Sequence, residues 1–267
     1  MVFDTSGQVR RENDSRVLTL AGIGIAEEAS GTARALIEKR LGRSPLKWRD
    51  GGLEGFKNVA DIIASQTLRV AVTHMTGISE GAWLSFWDEG QWKAVKLQQL
   101  TGESAHFAAG DSTSRLLLFA SIFAQCAGHV LKQRGWKGPP PHGRRDGVEF
   151  SAKFDTDISN LEARAVLTET LKHWAESGHF GRFANLDMQI SGCFRTEQEE
   201  PLILLADYVA SAFHHVHRDA VISRPVAPLE QVRDAVTHFR DTLGSRLQEL
   251  NQPFDEIHPL MGMWNDP

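Results

Sequence analysis

The sequence has few cysteines and no hydrophobic run long enough to cross a bilayer. Cys126 and Cys193 are the two cysteines among 267 residues, and both lie in apolar segments without a second Cys or a His at metal-ligand spacing. This excludes a small disulfide scaffold and is typical of buried thiols in a reducing compartment. The longest apolar stretch, residues 116–131, is shorter than a bilayer span and is interrupted by Gln125 and His129. The first residues show neither a cationic leader nor an apolar run of signal-peptide length. We therefore expect a cytoplasmic protein that does not enter the membrane.

Positive charge is also scarce, because 29 Lys and Arg face 34 Asp and Glu, for a net charge of −5. This balance excludes a basic protein that coats nucleic acid through its bulk charge, although a local basic patch remains compatible with it. The single Tyr stands against 14 Phe, which indicates that most rings fill interior space without needing a hydroxyl partner. A hydrophobic content of 41% with 24% charged residues is ordinary for a globular domain.

The pattern of apolar residues predicts an α/β fold with the element order β-β-β-α-β-α-β-α and two extra helices before the third strand. Alternating or β-branched runs predict strands over residues 2–4, 16–25, 68–75, 148–154 and 186–194. Helical spacing predicts helices over residues 26–41, 53–66, 112–134, 159–176 and 202–217. We interpret the weakly periodic residues 77–110 as an insertion with one helix near residues 91–100.

A last amphipathic helix is predicted near the C-terminus. Its apolar positions recur every three or four residues, at Leu229, Val232, Val236, Phe239, Leu243, Leu247 and Leu250. We therefore divide the chain into a main domain over residues 1–218 and a C-terminal helix and tail over residues 219–267. This stripe is expected to pack on the domain or on a partner subunit in a homodimer.

Three aspartates interrupt otherwise apolar elements. Asp4 lies in the first strand, Asp155 ends the fourth strand with Asp157 two residues on, and Asp207 lies inside an apolar helix. In the predicted element order the first and fourth strands are neighbours, and the helix after the fifth strand covers their ends, so the three carboxylates are expected to converge. A divalent metal would supply the cation that buried carboxylates need. The alternative is that each Asp is an ordinary strand-end or helix-surface residue.

Four segments resemble, in order, the landmarks of the domain-of-unknown-function family numbered 3800. They are residues 3–7 (FDTSG), 45–48 (PLKW), 148–155 (VEFSAKFD) and 202–210 (LILLADYVA). That family opens with Asp-Glu-Ser-Gly, carries Glu-Leu-Lys-Trp after its first helix, and closes with a Gln-Leu-Ala-Asp-Leu-Val-Ala helix. The resemblance covers about residues 2–217. This sequence departs from the family pattern at Thr5 and Pro45, where the family has Glu, and at Leu204, where it has Gln.

The resemblance implies a ribonuclease H-like fold, with a mixed sheet that starts with three antiparallel strands and continues with parallel ones between helices. It also implies a nuclease that hydrolyses phosphodiester bonds of DNA or RNA by a two-metal mechanism with Mg²⁺ or Mn²⁺. Asp4, Asp155 and Asp207 fall on its catalytic positions, and with Asp157 they are the expected metal ligands. Because Thr5 and Pro45 replace two glutamates of the family, an alternative is a catalytically weakened domain that binds nucleic acid or a protein partner. A hydrolase of another phosphate ester is a third option.

Basic residues provide candidate contacts to the phosphate backbone of the nucleic acid. Lys47 lies beside Trp48, and five further cations surround a proline-rich stretch near residues 138–141, namely Lys132, Arg134, Lys137, Arg144 and Arg145. Such a cluster on a net acidic protein is typical of a phosphate contact. A solvated loop is the alternative interpretation.

Overall fold

The computed structural model of the chain describes residues 1–7, 18–42, 48–75, 83–88, 91–96, 147–156, 169, 187–221 and 230–250. The strands are β1 (Val2–Gly7), β2 (Leu18–Gly24), β3 (Arg69–Met75), β4 (Trp83–Asp88), β5 (Gln91–Lys96), β6 (Gly147–Asp155), β7 (Asp187–Arg195) and β8 (Leu247–Leu250). The helices are α1 (Glu27–Leu41), α2 (Trp48–Ser65), α3 (Ile203–Val221) and α4 (Glu230–Leu243), and a 3-10 turn (Gly244–Arg246) follows α4. The predicted α/β class is confirmed.

Six strands form one mixed sheet in the order β7-β6-β1-β2-β3-β8. The β1–β2 and β2–β3 pairs are antiparallel, whereas the β1–β6, β6–β7 and β3–β8 pairs are parallel. The expected neighbours, the first strand and the strand ending at Asp155, therefore lie side by side. The parallel strands β1, β6 and β7 run in the same direction; β6 and β7 end level with Asp4, and β1 continues to Gly7.

The two faces of the sheet follow from the alternation of side chains along each strand. Val2, Ile23 and Val72 lie on one face and belong to a buried apolar cluster shared with the four helices. Phe3 and Phe154 lie on the opposite face and are also fully buried. Their rings stack at a centroid distance of 5.2 Å, and Phe154 continues the row to Phe194 at 5.4 Å. Because Asp4 is two residues from Val2, it belongs to the face covered by helices.

The C-terminal helix α4 packs inside this same cluster, against α2 and α3. Phe239 is fully buried and meets the rings of Phe56 and Phe213 at centroid distances of 6.5 and 6.3 Å. The apolar stripe of α4 is therefore covered by the chain's own helices. Helix α4 ends at Leu243, so the expectation that Leu247 and Leu250 continue it is wrong. Gly244, with φ at 51°, takes the left-handed conformation that ends a helix, and both leucines lie in β8, parallel to β3.

The expected helix near residues 91–100 is also wrong over its first part, because Gln91–Lys96 is strand β5, paired antiparallel with β4. Asp88 pairs with Gln91, so two residues connect the strands. The helices predicted over residues 112–134 and 159–176 lie outside the described residues, apart from Glu169, which is helical. None of the described helices is long and apolar enough to span a membrane.

Candidate metal centre

Three carboxylates meet at the end of the sheet where β6 and β7 stop, beside the middle of β1. Asp4 lies on β1, Asp155 is the last residue of β6, and Glu197 follows β7 by two residues. Each offers one oxygen, and these three oxygens lie within 4.8 Å of one another. The register explains the convergence, since Phe3 pairs with Phe154 and Asp155 with Arg195 in parallel ladders. Asp4 and Asp155 therefore stand side by side, and Glu197 lies just beyond the next strand.

The two aspartates are oriented by the backbone that follows each of them. The Thr5 N–H donates to Asp4 Oδ1 at 2.6 Å, and the Thr156 N–H donates to Asp155 Oδ1 at 2.7 Å. Asp4 is buried with 4% of its surface exposed, whereas Asp155 and Glu197 are half-buried. The group is therefore covered on the β1 side and accessible from the β6 and β7 side.

Glu197 sits in a turn that is capped from both ends. The Thr196 N–H donates to Glu199 Oε2 at 2.9 Å, and the Glu199 N–H donates to Thr196 Oγ1 at 3.3 Å. This reciprocal pair is a capping box, which satisfies amide groups at the start of a helical turn. The hydrogen bond from the Thr196 backbone lowers the pKa of the exposed Glu199 carboxyl. Glu199 thus stabilises the turn that carries Glu197.

The next residue, Glu200, anchors the same turn to the rest of the fold. Its carboxylate is buried and accepts two hydrogen bonds from the Arg34 guanidinium, at 3.0 and 2.9 Å, and one from Lys153 Nζ. Burial alone would raise the pKa of Glu200, but the hydrogen bonds and charges of Arg34 and Lys153 outweigh it and lower the pKa. Glu200 therefore joins α1, β6 and the β7–α3 connection.

Asp207 lies on α3, the helix that packs on β1 and β2, and 7% of its surface is exposed. Ser211 Oγ donates to Asp207 Oδ1 at 3.2 Å. Further along the same helix, His214 Nδ1 lies 3.4 Å from Thr19 Oγ1 of β2. Among the described residues, the group of mutually close metal-ligating atoms contains Asp4 and Asp155 and does not contain Asp207. The role of Asp207 as a ligand stays a prediction.

The remaining predicted site residues lie outside the described residues. These are the expected ligand Asp157 and the expected phosphate contacts Lys47, Lys132, Arg134, Arg144 and Arg145.

The sequence interpretation did not include Glu197 among the candidate ligands. One signal in the sequence points to it: Thr196 and Glu199 have the spacing of a capping box. Glu197 is the first residue inside that box. A capping box that directly follows a strand places its first residues at the end of the sheet. Because β7 ends level with Asp155 and Asp4 of the two neighbouring parallel strands, that position adjoins Asp4 and Asp155.

The donor set fits a hard divalent cation. Carboxylate oxygens are the ligands that Mg²⁺ and Mn²⁺ prefer, and at metal–oxygen distances of about 2.1 Å opposite ligands of one ion lie about 4.2 Å apart. The oxygens of Asp4, Asp155 and Glu197, within 4.8 Å of one another, need only small side-chain adjustments to reach that separation. Three clustered carboxylates also repel one another, and a bound cation relieves that repulsion.

Neither the known family models nor the curated protein sequences match this chain.

Proposed function

We propose that the chain is a metal-dependent nuclease of ribonuclease H-like fold, with Asp4, Asp155 and Glu197 as ligands of Mg²⁺ or Mn²⁺. The observation that carries this proposal is the convergence of the three carboxylates where β6 and β7 end beside β1. When bound there, the metal supplies an activated water and a positive charge for the leaving oxygen of a phosphodiester.

The strand order supports the fold part of the proposal. Three antiparallel strands, β1 to β3, are followed by parallel strands added beside β1, in the order β7-β6-β1-β2-β3. These five strands agree with the mixed sheet that the resemblance to the family numbered 3800 implies, and β8 adds a sixth strand beside β3. In that sheet the catalytic carboxylates are expected on the first and fourth strands. Asp4 lies on β1 and Asp155 on β6, which is the fourth strand of this sheet in chain order.

The protein's own residues have distinct parts in this site. Asp4 is a buried ligand with an orientation fixed by the Thr5 amide, and Glu197 is a half-buried ligand on a capped turn. Asp207 and Asp157 remain predicted ligands of the second ion that a two-metal mechanism needs. The basic residues near the proline-rich stretch remain the proposed contacts to the nucleic acid backbone.

A second candidate function is favoured by Thr5, which stands in β1 directly after Asp4 where the resembling family has Glu. A site with fewer acids binds its cation more weakly. The chain would then bind nucleic acid or a protein partner without cleaving it. Glu197 adds a carboxylate to the site and makes nuclease activity the better supported of the two.

The test is cleavage of labelled single-stranded DNA, duplex DNA and RNA in the presence of Mn²⁺ or Mg²⁺, with EDTA as the metal-free control. We expect wild-type cleavage to need metal, and Asp4→Asn and Glu197→Gln to lose about 100-fold or more in rate. Glu27→Gln removes an exposed acid from the first turn of α1 and should cleave like wild type. Cleavage that survives EDTA or both site variants contradicts the proposal, and metal-dependent binding without cleavage supports the alternative.

A further inference from the structure

We infer that Glu200 is a positioning residue that holds the Lys153 ammonium away from the three carboxylates, so that Asp155 stays available to a divalent cation. The inference rests on the proposed metal site and adds a residue that touches neither metal nor substrate. Strand β6 carries a lysine and a proposed metal ligand two residues apart, at Lys153 and Asp155.

Lys153 is within reach of the site by strand geometry. Alternate residues of a strand share a face and lie about 6.6 Å apart along it, a span that a lysine side chain covers. Lys153 pairs with Val2 on β1, and Asp155 lies one alternate position further toward the edge where Asp4 stands. An unrestrained ammonium at this position would form an ion pair with Asp155. Such an ion pair competes directly with a bound cation.

The structure shows where the lysine charge goes instead. Lys153 Nζ donates to Glu200 Oε2, and 27% of the lysine side chain is exposed against 5% for Glu200. The carboxylate is itself fixed, since the Arg34 guanidinium binds both of its oxygens. A buried, doubly held carboxylate is a better partner for the ammonium than the half-buried Asp155. Glu200 therefore binds the Lys153 ammonium, which would otherwise pair with Asp155.

Arg34 separates this role from general support of the fold. It binds Glu200 from α1, and 39% of its side chain is exposed. Replacing Arg34 weakens the anchoring of the turn but leaves Lys153 paired with Glu200. If Glu200 acts by holding Lys153, Arg34→Gln keeps metal affinity close to that of wild type. If Glu200 acts only as a structural anchor, Arg34→Gln and Glu200→Gln weaken metal binding alike.

The experiment measures the Kd for Mn²⁺ of folded wild type, Glu200→Gln, Lys153→Gln, the double variant and Arg34→Gln by calorimetry. We expect Glu200→Gln to weaken binding about 10-fold. Lys153→Gln, the double variant and Arg34→Gln should stay within about threefold of wild type. Glu249→Gln is the matched control, because Glu249, on the opposite edge strand β8, accepts a similar pair of bonds from Arg240 of α4. If Glu200→Gln does not fold, Glu200→Asp, which keeps the charge, should show a smaller weakening that Lys153→Gln reverses.

Three results would overturn the inference: wild-type affinity in folded Glu200→Gln, a double variant as weak as the single one, or an equal loss in Arg34→Gln. Failure of the proposed function is seen separately, as wild-type protein that binds no Mn²⁺. The metal-free crystal structure of Glu200→Gln decides the inference even then. Lys153 Nζ within about 4 Å of an Asp155 oxygen supports it, and a lysine that stays away from Asp155 refutes it.

Discussion

Thr196 and Glu199 cap each other across the turn that carries Glu197, each donating its backbone N–H to the side chain of the other. The bond from the Thr196 amide is 2.9 Å long and the one from the Glu199 amide is 3.3 Å. The ligand proposed for the cation is thus held by residues that do not bind it.

Removing the threonine hydroxyl should loosen this turn. Thr196→Val keeps the backbone amide but leaves the Glu199 N–H without its side-chain acceptor, which costs about 1 kcal/mol of unfolding free energy. Urea denaturation measures the loss. The control Thr237→Val changes an exposed threonine of α4 and should shift the midpoint much less. Equal midpoints for the two variants would show that the cap does not contribute.

Stability should depend on pH through Glu200. The pKa of this carboxyl is lowered in the folded protein, because Arg34 and Lys153 together outweigh the effect of burial. Its contribution is therefore complete above the ordinary glutamate pKa of about 4.3, and it is lost as the pH falls through the lower folded-state pKa.

Glu200→Gln should therefore differ most from wild type at neutral pH. We expect a difference of about 2 kcal/mol in unfolding free energy at pH 7, below the roughly 3–5 kcal/mol of a fully buried pair because Arg34 is partly exposed. Denaturation curves at several pH values should show this difference shrinking toward pH 3. A difference that stays constant over that range would mean that the ionised carboxylate is not what stabilises the fold.

Gly55 has no room for a side chain. A Cβ at this position of α2 would lie 2.8 Å from both Cε1 and Oη of Tyr208, which is fully buried on α3. Gly55→Ala should therefore destabilise the protein by about 1–3 kcal/mol, since the two helices would have to move apart. Gly31→Ala in α1 meets nothing within 4 Å and should stabilise by about 0.5–1 kcal/mol through helix propensity. Thermal melts that rank the two variants in the reverse order would contradict this packing.

Asp207→Asn tests whether α3 supplies a ligand. At a hundredfold excess of Mn²⁺ over Kd, wild type should gain about 2.7 kcal/mol of stability, and Glu197→Gln should lose most of that gain. If Asp207 is a ligand of a second ion, Asp207→Asn should lose part of the stability that wild type gains from Mn²⁺. It should remain folded without metal. Ser211→Ala is the control, because it removes the hydrogen bond to Asp207 and keeps the carboxylate. If Asp207→Asn gains as much stability from Mn²⁺ as wild type, Asp207 is not a ligand. If Asp207→Asn unfolds without metal, Asp207 has a structural role.

Most strands and helices that surround the site could be predicted from the sequence because local periodicity determines them. The errors occur where the same apolar spacing suits two structures. Residues 91–100 satisfy a helical spacing, but Gln91–Lys96 pairs with the Trp83–Asp88 strand two residues away, and such pairing is not a local property. Leu247 and Leu250 extend the stripe of α4 in sequence, although Gly244 had already marked its end.

The site was predictable to the extent that strand order could be inferred. Asp4 and Asp155 were expected together because their strands were expected to be neighbours, and both belong to the group of three. Glu197 was missed because it lies in a turn, where apolar periodicity gives no signal. Its place depends on β7 pairing with β6, a contact between segments far apart in the chain.

Strand β8 pairs with β3, with Leu247 beside Val70, so residues 247–250 cover one side of β3. A nascent chain that has reached residue 226 lacks both α4 and β8. It leaves the backbone groups of β3 open to pairing with another molecule and uncovers the rings of Phe56 and Phe213. We expect a protein truncated after residue 226 to aggregate and one extended through residue 250 to stay in solution, as light scattering of the two purified products can show. Residues 230–250 thus protect the rest of the sheet from intermolecular strand pairing.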